Sequence, residues 1–184
     1  MKLIEPEKGK FLISAPNLGH FFRRTVIYLV EHNENGSVGF VLNKPTKFKI
    51  SDVVDDFPDF DAEVHLGGPV QTELINFLHK RGDIIDGGYE IENGIFWGGN
   101  FEKLKLLAGN KELNSGDFLF FLGYAGWSAN QLNDELKTNS WFVNNADKKI
   151  VFSRKTENMW QEVLKNMGGE YLLISTFPED PSVN

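Results

Sequence analysis

The chain has 184 residues, which fits one domain and is long enough to bury a core without staples. Its 41% hydrophobic and 24% charged residues are those of a globular protein, and no stretch approaches the roughly 18 apolar residues of a membrane span. Zero cysteines exclude disulfides and thiolate metal sites, and a net charge of −7 with scattered Lys and Arg argues against direct nucleic-acid binding.

The first ten residues carry charges and Pro6 where a secretory signal would place an apolar run, so a cytoplasmic protein is expected. Phe11–Ser14 reads as a first strand, ended by Ala15-Pro16-Asn17. Thr25–Val30 is a β-branched and aromatic run, and Val38–Leu42 returns from the turn residues Asn33–Gly36. Together they predict a hairpin of two central strands, closed by Pro45. Ser51 is placed to cap a short helix over Asp52–Phe57, stopped by Pro58. Val64–Leu66 is a short strand entering Gly67-Gly68-Pro69, where paired glycines permit a tight bend. Leu74–His79 reads as a strand, and Tyr89–Ile91 with Ile95–Trp97 as a hairpin.

Asn100 is a good cap for a helix bearing Phe101, Leu104 and Leu107 that ends near Gly109. Phe118–Leu122, apolar on both sides, is a central strand. It runs into Gly123-Tyr124-Ala125-Gly126-Trp127, which reads as a corner, and Ser128 with Gln131 matches a capping box for the helix carrying Leu132 and Leu136. Ile150–Phe152 reads as a further strand. Thr156 is placed to cap a helix with Met159, Trp160, Val163 and Leu164 on one stripe, stopped by Gly168-Gly169. Tyr171–Ser175 reads as a last strand and Pro178 onward as a polar tail. Strands cluster early and helices interleave late without a βαβ rhythm, so the class is α+β, in a single domain over 1–184.

Chemical signatures are scarce. The chain has no phosphate-cradling G-x-x-x-x-G-K-[ST] loop and no dinucleotide fingerprint, and Asn130 breaks a nucleophile elbow at Ser128. Neither a cofactor nor a metal is expected, since no ligand-spaced histidines exist. His20 and His79 read as surface residues and His65 as a hydrogen-bonded strand residue. Glu135 shares the helix face of Gln131 and reads as solvated, while Tyr124 and Trp127 read as packing residues able to stack on a ligand. His32 ends a buried strand, with Asn43 at the far end of the hairpin. The two glycine bends are expected to face each other across a cleft. The candidate cleft residues are His32, Asn43, Gly67, Gly68, Pro69, Gly123, Tyr124, Gly126, Trp127, Gln131 and Glu135.

Several segments together resemble the AlgH family of bacterial proteins. They are Gly9–Pro16, Phe22–Val26, Glu31-His32 to Gly36, Gly39-Phe40-Val41-Leu42-Asn43-Lys44-Pro45, Gly67-Gly68-Pro69-Val70, Leu78-His79 and Gly123–Trp127 with Gln131-Leu132 and Glu135. Trp141 and Trp160 also fall where that pattern places them, and the match runs along nearly the whole chain. The chain departs from the commoner form in having Ser128-Ala129-Asn130 before the glutamine. The resemblance implies an α+β fold with a β-barrel-like, bifurcated mixed-sheet core surrounded by helices. Its name implies a regulatory role in alginate production, with no DNA-binding motif attached. The expected function is that of a non-enzymatic cytoplasmic protein acting through a small ligand or protein partner, as an indirect transcriptional regulator. The alternative is a hydrolase or transferase using His32, Asn43 and Glu135, which requires those side chains to converge on one open space.

Overall fold

The computed structural model describes residues 4–178. Its described strands form one curled, half-barrel sheet: β1 (Lys10–Ser14), β2 (Val26–Asn33), β3 (Gly36–Val41), β4 (Pro45–Lys49), β5 (Glu63–Leu66), β6 (Val70–His79), β7 (Tyr89–Glu92), β8 (Ile95–Trp97), β9 (Phe118–Ser128) and β10 (Trp141–Asn145). The helices among the described residues are α1 (Ile50–Val53), α2 (Phe101–Gly109), α3 (Gln131–Lys137), α4 (Lys148–Val151), α5 (Met159–Met167) and α6 (Glu170–Ile174). The strand order is β10-β1-β2-β3-β9-β6-β8-β7, with β5 attached to β9 and β4 attached to β5. All pairings are antiparallel except β5 with β9. The α+β class and the bifurcated sheet expected from the sequence are present.

The bifurcation is made by β9. One of its edges pairs with β6, and the other changes neighbour partway along. Phe120–Leu122 pairs with β5, while Ala125–Ser128 pairs with β3. Side chains alternate faces along a strand, so β9 feeds three apolar clusters. Leu119 and Phe121 join the largest, with Phe11, Tyr28, Phe40 and Leu78 and with Met159, Trp160, Val163 and Leu164 of α5. Phe118 and Phe120 face the other way, toward Ile50 of α1 and Leu104 and Ala108 of α2. Beyond Gly123, whose φ of +66° shifts the alternation, Ala125 and Trp127 pack with Leu12, Ile27, Val41, Leu132 and Trp141. Burying each large apolar side chain contributes about 1.5–3 kcal/mol. β9 is therefore anchored in all three clusters.

The structure departs from several expectations. Gly123–Trp127 is not a corner beyond a strand; β9 continues through it to Ser128 and only bends. Pro45 lies beyond the β2–β3 hairpin, which ends at Val41, but it opens a further strand, β4, which was not foreseen and which an edge position permits. The helix after Ile50 is a single turn, its start held by the Asp52 carboxylate, which accepts the Lys49 N–H at 2.8 Å. Ile150–Phe152 and Tyr171–Ser175 fall within or beside the helices α4 and α6 instead of strands. For α5 the residue next to the first helical turn is Asn158, not Thr156, although Gly168 ends the helix at φ +70° as expected. Strand β10 was not foreseen. The tail beyond Pro178 lies outside the described residues.

Candidate functional site

The two glycine bends do meet, but by direct contact. Gly67 N–H donates to Leu122 O at 2.8 Å, and Gly67 O accepts the Val41 N–H at 2.9 Å. Gly67, Gly68 and Gly123 are all buried. A methyl group on Gly67 would overlap the Gly123 carbonyl, and one on Gly68 would overlap the Tyr124 carbonyl. No hollow can occupy that contact: the missing side chains let two backbones touch. Pro69 and Gly126 are exposed beside it, and half-buried Tyr124 packs on the largest cluster.

Trp127, Gln131 and Glu135 form a second group with a structural task. Glu135 does not simply face solvent, as its helix position suggested. Its Oε2 accepts the indole N–H of both Trp127, at 2.9 Å, and Trp141, at 2.7 Å. The two rings meet edge to face, 5.7 Å apart. Gln131 donates to Oε1 of Glu135 at 2.9 Å, and its own carboxamide oxygen accepts the Ser128 N–H and hydroxyl. The glutamine half of the predicted capping box is therefore present, whereas the Ser128 hydroxyl donates to a side chain and Asn130, at φ +64°, stands before the helix. These bonds fix the β9–α3 connection.

His32 and Asn43 lie far apart. Asn43 ties the start of β2: its side chain accepts the Val26 N–H at 2.9 Å and donates to Arg24 O at 2.7 Å. His32 is six residues further along that strand, roughly 20 Å away at about 3.3 Å per residue. The His32–Asn43–Glu135 set proposed for a hydrolase or transferase does not converge, because its asparagine is at the wrong end of the hairpin.

Of the expected residues, His32 opens on a hollow. Its Nδ1 lies 2.7 Å from the buried Ser37 hydroxyl across the β2–β3 pair. A polar hollow of about 200 Å³ is walled by His32 and Ser37 on the hairpin and by Ser128, Asn130 and Asn133 at the β9–α3 connection. A wider one of about 550 Å³ on the other side of His32 is edged by Glu7, Glu31, Glu92 and Tyr89. Within it, the Lys8 ammonium donates to the Tyr89 hydroxyl and sits 4.7 Å from the ring centroid. Sequence reasoning missed Ser37, Asn130 and Asn133. The available signals were the turn chemistry of Asn33–Gly36 and an asparagine where the backbone turns left-handed.

His20 is exposed, as expected, whereas His65 and His79 are structural. His65 is a bonded strand residue as expected; its Nδ1 donates to Leu42 O at 2.8 Å, and burial holds the imidazole below its ordinary value. His79, expected at the surface, is fully buried between Phe96 and Phe118. There Nε2 donates to Gly98 O at 2.9 Å and Nδ1 accepts the Arg81 N–H, which fixes one neutral tautomer, and burial holds its pKa down as well. Among the described residues no group of three His, Cys, Asp or Glu could hold a metal ion, and no helix is long and apolar enough to cross a membrane.

The pattern that defines the AlgH-like family matches residues 11–172. The chain belongs to the AlgH-like family. Its AlgH-like relatives include a UPF0301 protein of Chlorobaculum parvum, 44% identical over 177 residues that cover 96% of this chain and 95% of the other. A UPF0301 protein of Cytophaga hutchinsonii is 41% identical over 96% of this chain and 98% of its own length. Among solved structures, the solution structure of AlgH from Pseudomonas aeruginosa is similar at 31% identity, with a TM-score of 0.73 over 97% of this chain and 98% of that one. A Corynebacterium diphtheriae protein shares the AlgH-like fold at 23% identity, with a TM-score of 0.81 over 96% and 95% of the two chains.

Proposed function

We propose that this AlgH-like chain is a non-enzymatic cytoplasmic protein that works by binding. A small polar ligand or a polar loop of a protein partner seats in the hollow beside His32, and the chain acts as an indirect regulator. One observation carries the reading: the hollow has fixed polar walls, while the other acid–base candidates are spent on internal bonds. Glu135 and Gln131 hold the β9–α3 wall, Ser37 braces His32, and the Asn130 side chain makes no capping bond to α3. A preformed space with a few convergent polar groups is the usual form of a ligand site. The net charge of −7 favours indirect action over contact with a phosphate backbone.

The test is thermal unfolding against a metabolite panel, with pull-down by the full chain in parallel. A ligand at about 100 times its Kd stabilises the folded state by about 2.7 kcal/mol, a rise of roughly 5–10 °C for a chain of this size. His32→Ala and Asn130→Ala are expected to abolish the shift, and Asn43→Ala to leave it. Empty screens in both assays, or a ligand whose shift survives His32→Ala, would overturn the proposal.

A further inference from the structure

The side chains around the smaller hollow divide into those already engaged and those still open. Asn33 is engaged at both ends: its amide nitrogen donates to Glu31 Oε1 at 2.7 Å, and its oxygen accepts the Asn35 N–H at 2.8 Å. The Ser128 hydroxyl proton goes to Gln131 Oε1 at 3.2 Å, which leaves the Ser128 oxygen as an acceptor. Ser37 and Nδ1 of His32 engage each other at 2.7 Å, so the imidazole keeps Nε2, as donor or acceptor according to its tautomer. The side chains of Glu34, Asn130 and Asn133, which also line the hollow, make no hydrogen bond or ion pair among the described residues.

The open groups are therefore of both kinds. The two carboxamides supply N–H donors and oxygen acceptors, while Ser128 and Glu34 supply acceptors. Among the described residues no lysine or arginine lines the hollow. A phosphate or carboxylate, which only accepts, would leave the Ser128 oxygen unmatched and would meet the Glu34 carboxylate with no cation beside it. An ammonium, which only donates, would leave the carboxamide N–H groups unmatched. A hydroxyl donates and accepts, so each hydroxyl of a neutral ligand can take one wall group of either kind. Leu132, 2% exposed, adds one apolar surface, suited to the C–H face of a ring. The volume of about 200 Å³ lies below the roughly 300–1,000 Å³ of sites for drug-sized ligands, which limits the occupant to a single ring.

We infer that the hollow takes a neutral polyhydroxyl compound of one ring, a free monosaccharide or cyclic polyol, and rejects the same ring bearing a carboxylate or an ammonium. The inference rests on the reading of this hollow as a ligand site and names what fills it. Asn130 and Asn133 grip the hydroxyls, and Glu34 turns anions away.

Amide spectra of the isotope-labelled full chain, titrated with glucose, galactose, mannose and myo-inositol and with the uronate and amino-sugar counterpart of each hexose, test it. At least one neutral ring is expected to shift the amides of Ser37, Ser128, Asn130 and Asn133 at millimolar concentration. Its charged counterparts should bind at least about tenfold more weakly, the equivalent of about 1.4 kcal/mol. Asn133→Ala, at an exposed helix position, should weaken the neutral ring about tenfold without lowering the thermal melt, and Glu34→Gln should narrow the gap to the uronate. The inference is overturned if no neutral ring moves these amides, if a charged counterpart binds as tightly as its parent, or if Asn133→Ala and Glu34→Gln change nothing. A charged metabolite whose thermal shift is lost in His32→Ala would overturn only the class assigned here and leave the hollow a ligand site.

Discussion

Replacing Glu135 with Ala should be among the costliest changes of any partly exposed residue. The Trp127 and Trp141 side chains are nearly buried, at 6% and 4% exposure, and both indole N–H groups end on one carboxylate oxygen. Removing it orphans two donors, each worth about 1–3 kcal/mol when left unpaired. Glu135 itself is half-buried, so water can reach part of the site and the lower half of that range applies. The expected loss is about 3 kcal/mol. Glu135→Gln keeps an oxygen acceptor without the charge and should cost about 1 kcal/mol. In urea, with a slope of about 2 kcal/mol/M, the midpoint should fall by about 1.5 M for Ala and about 0.5 M for Gln. If Glu135→Ala unfolds within about 0.5 kcal/mol of the wild type, the range of an ordinary surface change, the two-indole clamp is not a stabilising element.

Glycine contacts, histidine burial and the Asn43 tie give further expectations. Gly68→Ala forces a methyl onto the Tyr124 carbonyl and should cost about 3 kcal/mol or more, whereas Gly19→Ala, with open space around it, should be nearly neutral; equal melting temperatures would refute the contact. Burial holds the folded pKa of His65 and His79 down, so below about pH 6.5 the unfolded chain takes up protons that the folded chain refuses. Stability should therefore be full above about pH 7 and fall on acidification by up to about 1.4 kcal/mol per pH unit for each histidine. Urea melts at about pH 7.5 and about pH 5.5 read this, and His79→Phe should flatten the slope; a level wild-type profile would contradict it. Asn43→Ala orphans the buried Val26 N–H and should cost about 2 kcal/mol by urea melt while sparing any ligand shift at His32.

The strands with dense β-branched and aromatic runs between turn residues, β2 and β3 above all, were legible in the sequence, as were α2 and α5 from their periodicity. Ile150–Phe152 and Tyr171–Ser175 were misread because a run of three to five apolar residues fits either a buried strand or one helical turn. Strand β10 escaped because Asn144 and Asn145 dilute its apolar signal. At the candidate site, the glycine pairs announced that chain segments approach closely there. Composition cannot tell a ligand from another backbone as the visitor, and here Gly123 and Tyr124 are what arrives. His32 was read as the end of a buried strand with Asn43 at the far end of the hairpin, and the structure places His32 beside the turn and Asn43 at the opposite end. The companions of His32, Asn130 and Asn133, come from the connection to α3, a meeting set by tertiary packing and invisible to spacing.

The place of β9 in the chain has a consequence for biosynthesis. During translation β3, β5 and β6 emerge tens of residues before the strand they all flank, which ends at Ser128. Until then the nascent protein holds open strand edges and apolar faces with no neighbour to close them, the condition under which chains stick to one another. The ribosome-bound intermediate is therefore a vulnerable stage: β9 joins the waiting strands, and only β10 and α5, later still, cover the edge of β1 and the largest cluster.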